Sequence, residues 1–222
     1  SNHLGITLKK LRKVDEAEAS YKQAIALKPD YATAHSNLGN TLRELKKFDE
    51  SEVSLRQAIA LKPDYAEAHS SLGATLEKLE RLGEAEASLM QAIALRPDLA
   101  EAHNNLGSTL QELGRYDEAE ASLRQAIALR PDSTEAHNNL GNTLGGLKRY
   151  NESEASLRQA IALRPDYATA YYNLGATLRE LGRLDEAEAS LRQAIALKPN
   201  HTEAHHNLGN TLQEPGRFDE SD

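Results

Sequence analysis

The chain has 222 residues, 39% of them hydrophobic, with no Trp and no Cys, and 34 acidic against 26 basic side chains give a net charge of −8. That acidic balance argues against a nucleic-acid or anionic-membrane surface, which would need clustered Lys and Arg, and no stretch approaches the roughly 18 apolar residues of a membrane span. The absence of cysteine excludes disulfide staples, thiolate catalysis and Cys-based zinc sites and fits a reducing compartment, so a cytoplasmic location is expected.

Taken in chain order, one element returns again and again. The segment Gln-Ala-Ile-Ala-Leu, then Lys or Arg, then Pro, ends at Pro29, Pro63, Pro97, Pro131, Pro165 and Pro199. A Leu-Gly pair keeps the same 34-residue interval at Gly5, Gly39, Gly73, Gly107, Gly141, Gly175 and Gly209. A fixed period of this size means a repeat array, whose units are too small to bury a core alone and must stack. One elongated array over residues 1–222 is expected rather than one or two globular domains. Both ends fall inside a unit. The chain therefore reads as part of a longer protein, and its cut ends could expose apolar layers through which a homo-oligomer forms.

Within the unit Ala66 to Leu99, apolar residues fall at Ala68, Leu72, Leu76 and Leu79, then at Ala85, Leu89, Ala92, Ile93 and Leu95. Steps of three and four predict two amphipathic helices, with a break near Glu80 to Gly83. Pairs such as Asp64/Glu67, Asp117/Glu120, Asp49/Glu52 and Asn151/Glu154 resemble capping boxes at the helix starts. They also put negative charge at the positive end of each helix dipole, which accounts for much of the acidic excess. Gly114, Gly182 and Gly216 are expected to end first helices in the left-handed conformation. Lys62-Pro63 and its equivalents are expected to end second helices.

Glycine in mid-helix costs about 1 kcal/mol relative to Ala. Its return at Gly39 and the equivalent positions predicts that a neighbouring helix passes too close for a side chain, with Ala24, Ala58, Ala92, Ala126, Ala160 and Ala194 as the matching residues. Leu8, Leu42, Leu76, Leu110, Leu144, Leu178 and Leu212 should fill the layer between.

The pattern resembles the tetratricopeptide repeat (TPR). The second repeat shows His35, Leu38-Gly39, Leu42, Ser51, Leu55, Ala58 and Pro63 at the motif positions. Ala85, Ala119 and Ala187 stand elsewhere in place of Ser51, and the first aromatic is usually His, with Tyr only at Tyr171. The resemblance implies an all-α solenoid, a right-handed superhelix of stacked helix-turn-helix units. In that register the complete repeats are 32–65, 66–99, 100–133, 134–167 and 168–201, with partial repeats at 1–31 and 202–222. It also implies that first helices line a concave groove that receives a partner.

Variation between units collects in the first helix and the Pro-Asp turn, whereas the second helix is identical at Glu120–Asp132 and Glu154–Asp166. Three variable rows read Ser36, Ser70, Asn104, Asn138, Tyr172, His206; then Asn40, Ala74, Ser108, Asn142, Ala176, Asn210; then Arg43, Glu77, Gln111, Gly145, Arg179, Gln213. A steadier row reads Asn37, Ser71, Asn105, Asn139, Asn173, Asn207. It is similar to the asparagine ladder of O-GlcNAc transferases, where such residues grip a peptide backbone. An amide offers donor and acceptor to any peptide. The same row could instead only bond neighbouring helices. Asn105, Asn139 and Asn173 are expected to anchor a peptide backbone, with Tyr172, Arg179 and Gln111 adding selectivity.

The carboxylate-gripping mode known among TPRs is excluded, because the basic residues it needs are absent and Glu101 would repel a carboxylate. The His column (His35, His69, His103, His137, His205) places its members on separate helices and is expected to pack rather than bind metal. His201, His205 and His206 are closer together but lack an evident acidic partner. Gly141 to Gly146 lacks the Gly-Lys-Ser/Thr ending of a phosphate loop, and Gly145-Gly146 should only soften one helix end. No catalytic residue, cofactor or metal is expected. The function predicted is a protein-binding module for an extended peptide or a helix. The alternatives are the substrate-selecting arm of an O-GlcNAc transferase-like enzyme and a self-associating scaffold.

Overall fold

A computed structural model describes residues 14–213; the expectations for Gly5, Leu8 and Gly216 lie outside them. Among the described residues there are twelve helices and no strand. They are α1 (Val14–Leu27), α2 (Ala32–Glu44), α3 (Phe48–Leu61), α4 (Ala66–Lys78), α5 (Leu82–Leu95), α6 (Ala100–Glu112), α7 (Tyr116–Leu129), α8 (Thr134–Gly146), α9 (Tyr150–Leu163), α10 (Ala168–Glu180), α11 (Leu184–Leu197) and α12 (Thr202–Gln213). Ser1–Leu113 and Gly114–Asp222 form two compact units. In each unit consecutive helices pack antiparallel-fashion as hairpins, and the first helices also touch one another: α2, α4 and α6 in one unit, α8, α10 and α12 in the other. Within each unit the first helices thus lie side by side, with the second helices packed against them.

Four of the mid-helix glycines are explained by this packing, whereas a Cβ on Gly209 would meet nothing within 4 Å. A Cβ on Gly39 would lie 2.5 Å from Leu55 Cγ, on Gly73 2.4 Å from Leu89 Cγ, on Gly141 2.5 Å from Leu157 Cγ and on Gly175 2.6 Å from Leu191 Cγ. The matching residue is therefore this fully buried Leu, not the Ala expected. The Ala column does another job: Ala92 packs with Ala66, Leu99 and Ala102, joining one hairpin to the first helix of the next. Leu42, Leu76, Leu110, Leu144 and Leu178 are buried as expected, each contributing roughly 1.5–3 kcal/mol. Leu212, in the last described helix, is 38% exposed.

Helix ends follow the expectation better than helix starts. Gly114 and Gly182 have φ of +74° and +73°. In the other first helices Lys46, Glu80 and Lys148 take the same conformation, at +60°, +59° and +61°. The bonding is the Schellman pattern: Lys46 N–H donates to Arg43 O (3.0 Å) and Lys47 N–H to Leu42 O (2.8 Å). A non-glycine residue there bears a cost of about 1–2 kcal/mol. Gly182→Ala should therefore lower stability by about 1 kcal/mol, and Lys148→Gly should raise it by a few tenths, about 0.5 kcal/mol, once the freer unfolded glycine is counted. Denaturant midpoints of the two variants check this pair.

The capping boxes are not formed. The break expected at Glu80 to Gly83 falls at Leu79 to Arg81, and Gly83 is the second residue of α5. The first helices begin one residue later than a cap at Asp64 or Asp98 would require, so the N-cap places go to Tyr31, Tyr65, Leu99, Ser133 and Tyr167. Only Ser133 of these accepts a side-chain cap bond, from Ala136 N–H at 3.3 Å. The aspartate is held inside the turn, whose Ala66 N–H donates to Asp64 O and Tyr65 N–H to Lys62 O. In the second helices the acids still occupy the first turn, as Asp49 and Glu50 or Asp117 and Glu118 do. The dipole argument therefore stands without the box.

Candidate functional site

The second-helix layer is built for stability. Glu52 accepts from Arg56 (2.8 Å) and Arg81 (2.7 Å), and Glu84 closes the ring by meeting Arg81 (2.7 Å) and Arg56 (3.2 Å). The ring recurs as Glu120, Arg124, Arg149 and Glu152, and as Glu154, Arg158, Arg183 and Glu186. Burial pushes the Glu120 and Glu154 carboxyls up, but hydrogen bonds from their two arginines more than reverse it and leave both below the usual value. Bonds from Lys22 and Lys47 do the same for Glu18. Glu120 and Glu154, like Glu52, are glutamates that the sequence pattern placed in capping boxes.

The His column ties five first helices, all but α10 with its Tyr171, to the turn before them. Nε2 of His35, His69, His103, His137 and His205 lies 2.8–3.0 Å from the carbonyl oxygens of Pro29, Pro63, Pro97, Pro131 and Pro199. A carbonyl only accepts, so Nε2 carries the proton and donates. His201 does have an acidic partner: its Nδ1 is 3.1 Å from Glu203 Oε2, and its ring stands 4.9 Å from Tyr172. Among the described residues no cluster suited to a metal ion forms. No helix among them is long and apolar enough to cross a membrane.

The first-helix layer carries the variable rows. The steady row keeps Asn37, Asn105, Asn139, Asn173 and Asn207 half-buried and Ser71 buried. Asn173 Nδ2 donates to Asn138 Oδ1 at 3.0 Å, and Asn105 Nδ2 to Ser70 Oγ at 3.5 Å, each reaching the preceding first helix. Asn138 and Asn104 in turn donate to Asn139 and Asn105 beside them. Asn105 and Asn173 therefore bond the preceding first helix with one N–H, and an amide NH₂ carries a second proton. Ser36, Ser70 and Asn138 are buried rather than presented outward. Gln111 and Arg179 are half-buried, and Arg179 lies 3.7 Å from Glu180.

Two concavities open on this layer, one in each unit. In the first unit a polar cavity of about 450 Å³ is lined by Ser36, Asn37, Asn40, Arg43, Ser70 and Glu101, among others. Asn40, one of its lining residues, has a buried Oδ1 without a hydrogen-bond partner. In the second unit a cavity of about 370 Å³ is lined by Asn142, Gly145, Tyr150, Tyr172, Asn173 and Glu180, among others. Tyr150 donates to Glu180 Oε2 at 3.4 Å. Partial burial, and then the Glu180 carboxylate, raise that phenol above its ordinary value.

The tetratricopeptide repeat model matches residues 64–132, 98–166, 132–200 and 168–221, and a second TPR repeat model matches residues 7–42 and 39–80. The chain belongs to the TPR family. TPR arrays are protein-interaction scaffolds, a fold typically used without catalysis. No curated protein sequence matches the chain. Solved TPR structures share its fold. Cut9 with Hcn1, from the APC/C hetero-tetramer, has a TM-score of 0.89 at 19% identity, covering 95% of this chain and 42% of that one. The chain thus spans about two fifths of that relative. PilW, a type IV pilus biogenesis factor, gives 0.82 at 24% identity over 95% of this chain and 96% of that one. YrrB, a TPR protein with an unusual peptide-binding site, gives 0.61 at 24% identity over 84% and 96%.

Proposed function

We propose that this chain is a protein-binding module whose first-helix face receives an extended segment of a partner. The observation that carries the reading is Asn40. Its amide oxygen is buried and unpartnered, and the residue lines a polar cavity on the variable face; leaving such a group unpaired costs about 1–3 kcal/mol. A turn of the Asn40 side chain toward the cavity would let a peptide N–H satisfy it. Asn105, Asn139 and Asn173 continue the polar row, and Asn105 and Asn173 each have a second N–H to offer a peptide carbonyl. YrrB, of the same fold, is described as binding peptide, which is consistent with this use.

The test uses a displayed library of linear peptides selected on the intact chain. Asn40→Ala should lower the affinity of a selected peptide about tenfold, in line with loss of a hydrogen bond that leaves its partner unpaired. The denaturation midpoint should stay level or rise, because no bond within the protein is lost. Replacing Asn105, Asn139 and Asn173 together by Ala should weaken binding further with helicity nearly intact. Unchanged affinity in both variants contradicts the proposal.

A further inference from the structure

The one place where the array breaks its own rule on the first-helix face is the end of α8. Other first helices finish with two long side chains, Arg43-Glu44, Glu77-Lys78, Gln111-Glu112 and Arg179-Glu180, where α8 has Gly145-Gly146. The two glycines differ. A Cβ on Gly146 would lie 2.6 Å from the Tyr116 ring, so this glycine seats Tyr116. A Cβ on Gly145 would meet nothing closer than Ser153 Oγ at 3.7 Å, so packing does not require a glycine there. Its effect is to leave open the cavity of about 370 Å³ beside it.

The walls of that cavity are as unusual as its floor. Tyr172 is the only aromatic in its row apart from His206, and its ring is steadied against His201 at 4.9 Å. Tyr150 stands opposite with its hydroxyl on Glu180. Arg179 lies 3.7 Å from the same carboxylate, a long contact to a half-exposed glutamate of the small worth that an incoming charge can displace. Two phenol rings, a carboxylate and the Asn142 and Asn173 amides make a set rich in acceptors and π faces. That is the chemistry that suits a planar cation: a guanidinium lies on an aromatic face and forks onto a carboxylate. The net charge of −8 favours the same sign of partner at long range.

We propose that the cavity between α8, α9 and α10 is a side-chain pocket that selects an arginine in the bound segment. The proposal rests on the first-helix face being the partner-binding face, and the experiment separates the two. The probes are capped peptides of Gly, Ser and Ala carrying one central Arg, Lys, citrulline or Glu, titrated into the labelled full chain. Amide signals of Tyr150, Tyr172 and Asn173 report on the pocket, and those of the other first-helix positions report on the face. The Arg peptide should shift the pocket signals at about fivefold lower concentration than the citrulline peptide, which has nearly the same shape without the charge. Glu180→Gln should erase that preference. Gly145→Gln restores the side chain that α6 carries, so it should abolish the pocket shifts while helicity and the denaturation midpoint hold or rise.

Equal responses to Arg and citrulline at the pocket would overturn the cation preference and leave the face reading standing. Pocket shifts that survive Gly145→Gln would overturn the pocket itself. No shift at any first-helix position with any peptide would overturn both readings.

Discussion

Leu157→Ala should destabilise the second unit by about 3 kcal/mol, the cost of deleting a fully buried leucine from a site that cannot collapse. Leu163→Ala, at a position 36% exposed, should cost far less. The sharper test is the pair with Gly141. Ala is the better helix former by about 1 kcal/mol, yet Gly141→Ala should destabilise, because its Cβ would sit 2.5 Å from Leu157 Cγ and 3.2 Å from Ser153 O. With Leu157 already shortened to Ala, the same Cβ enters the space vacated. The double variant should then be more stable than Leu157→Ala alone, with a coupling of about 1–2 kcal/mol. Equilibrium denaturation of the four proteins measures it. Strict additivity would mean that close approach is not why glycine stands there.

Glu154→Lys should have the second-largest effect on stability. The Glu154 side chain is only 15% exposed and lies 2.7–2.8 Å from Arg158 and Arg183. Reversing its charge sets three cations together and removes the bonds that bridge two hairpins, at about 2 kcal/mol after allowance for solvent screening. Acid acts on the same ring. The carboxyls of Glu18, Glu120 and Glu154 are held below their ordinary values. Their contribution is therefore complete above the unfolded carboxyl value of about 4.3 and is lost as pH falls through the lower folded values. Unfolding midpoints should be level from pH 7 to about pH 5 and fall below about pH 4, and Glu154→Lys should flatten that fall. A midpoint independent of pH in this range would contradict the role given to the rings.

Much of the fold was legible because the physics repeats. A glycine that returns every 34 residues in mid-helix announces a close approach, and Leu55, Leu89, Leu157 and Leu191 supply it. Gly114 and Gly182 announced the left-handed helix ends. Bonds that join residues far apart in sequence were not legible. Glu154 looks like a cap partner for Asn151 when only its own helix is considered, and the ring with Arg183 of the next hairpin cannot be seen there. The His column reads as packing because its partner is a backbone carbonyl, which leaves no mark in the sequence. A one-residue shift at the Pro-Asp turn was enough to move Asp64 out of the cap. In the candidate site, variation between units singled out the first-helix face, which is the face that carries the two cavities. Which members are buried, and that Asn40 alone among the described buried side-chain groups has an unpartnered atom, depends on packing. Gly145-Gly146 looked like a loosened helix end, but it is the seat of Tyr116 and the floor of a cavity.

Second helices that repeat nearly unchanged along the chain hold the array together while variable first helices bind, and the location of a bound peptide tests this division of labour most directly. A peptide selected on the intact chain should shift amide signals of α2, α4 and α6 around Asn37, Asn40 and Asn105, or of α8, α10 and α12 around Asn139, Tyr172 and Asn173, and leave those around the Glu154 and Glu120 rings in place. Shifts concentrated on the second helices, with Asn40 and the asparagine row undisturbed, would contradict the account.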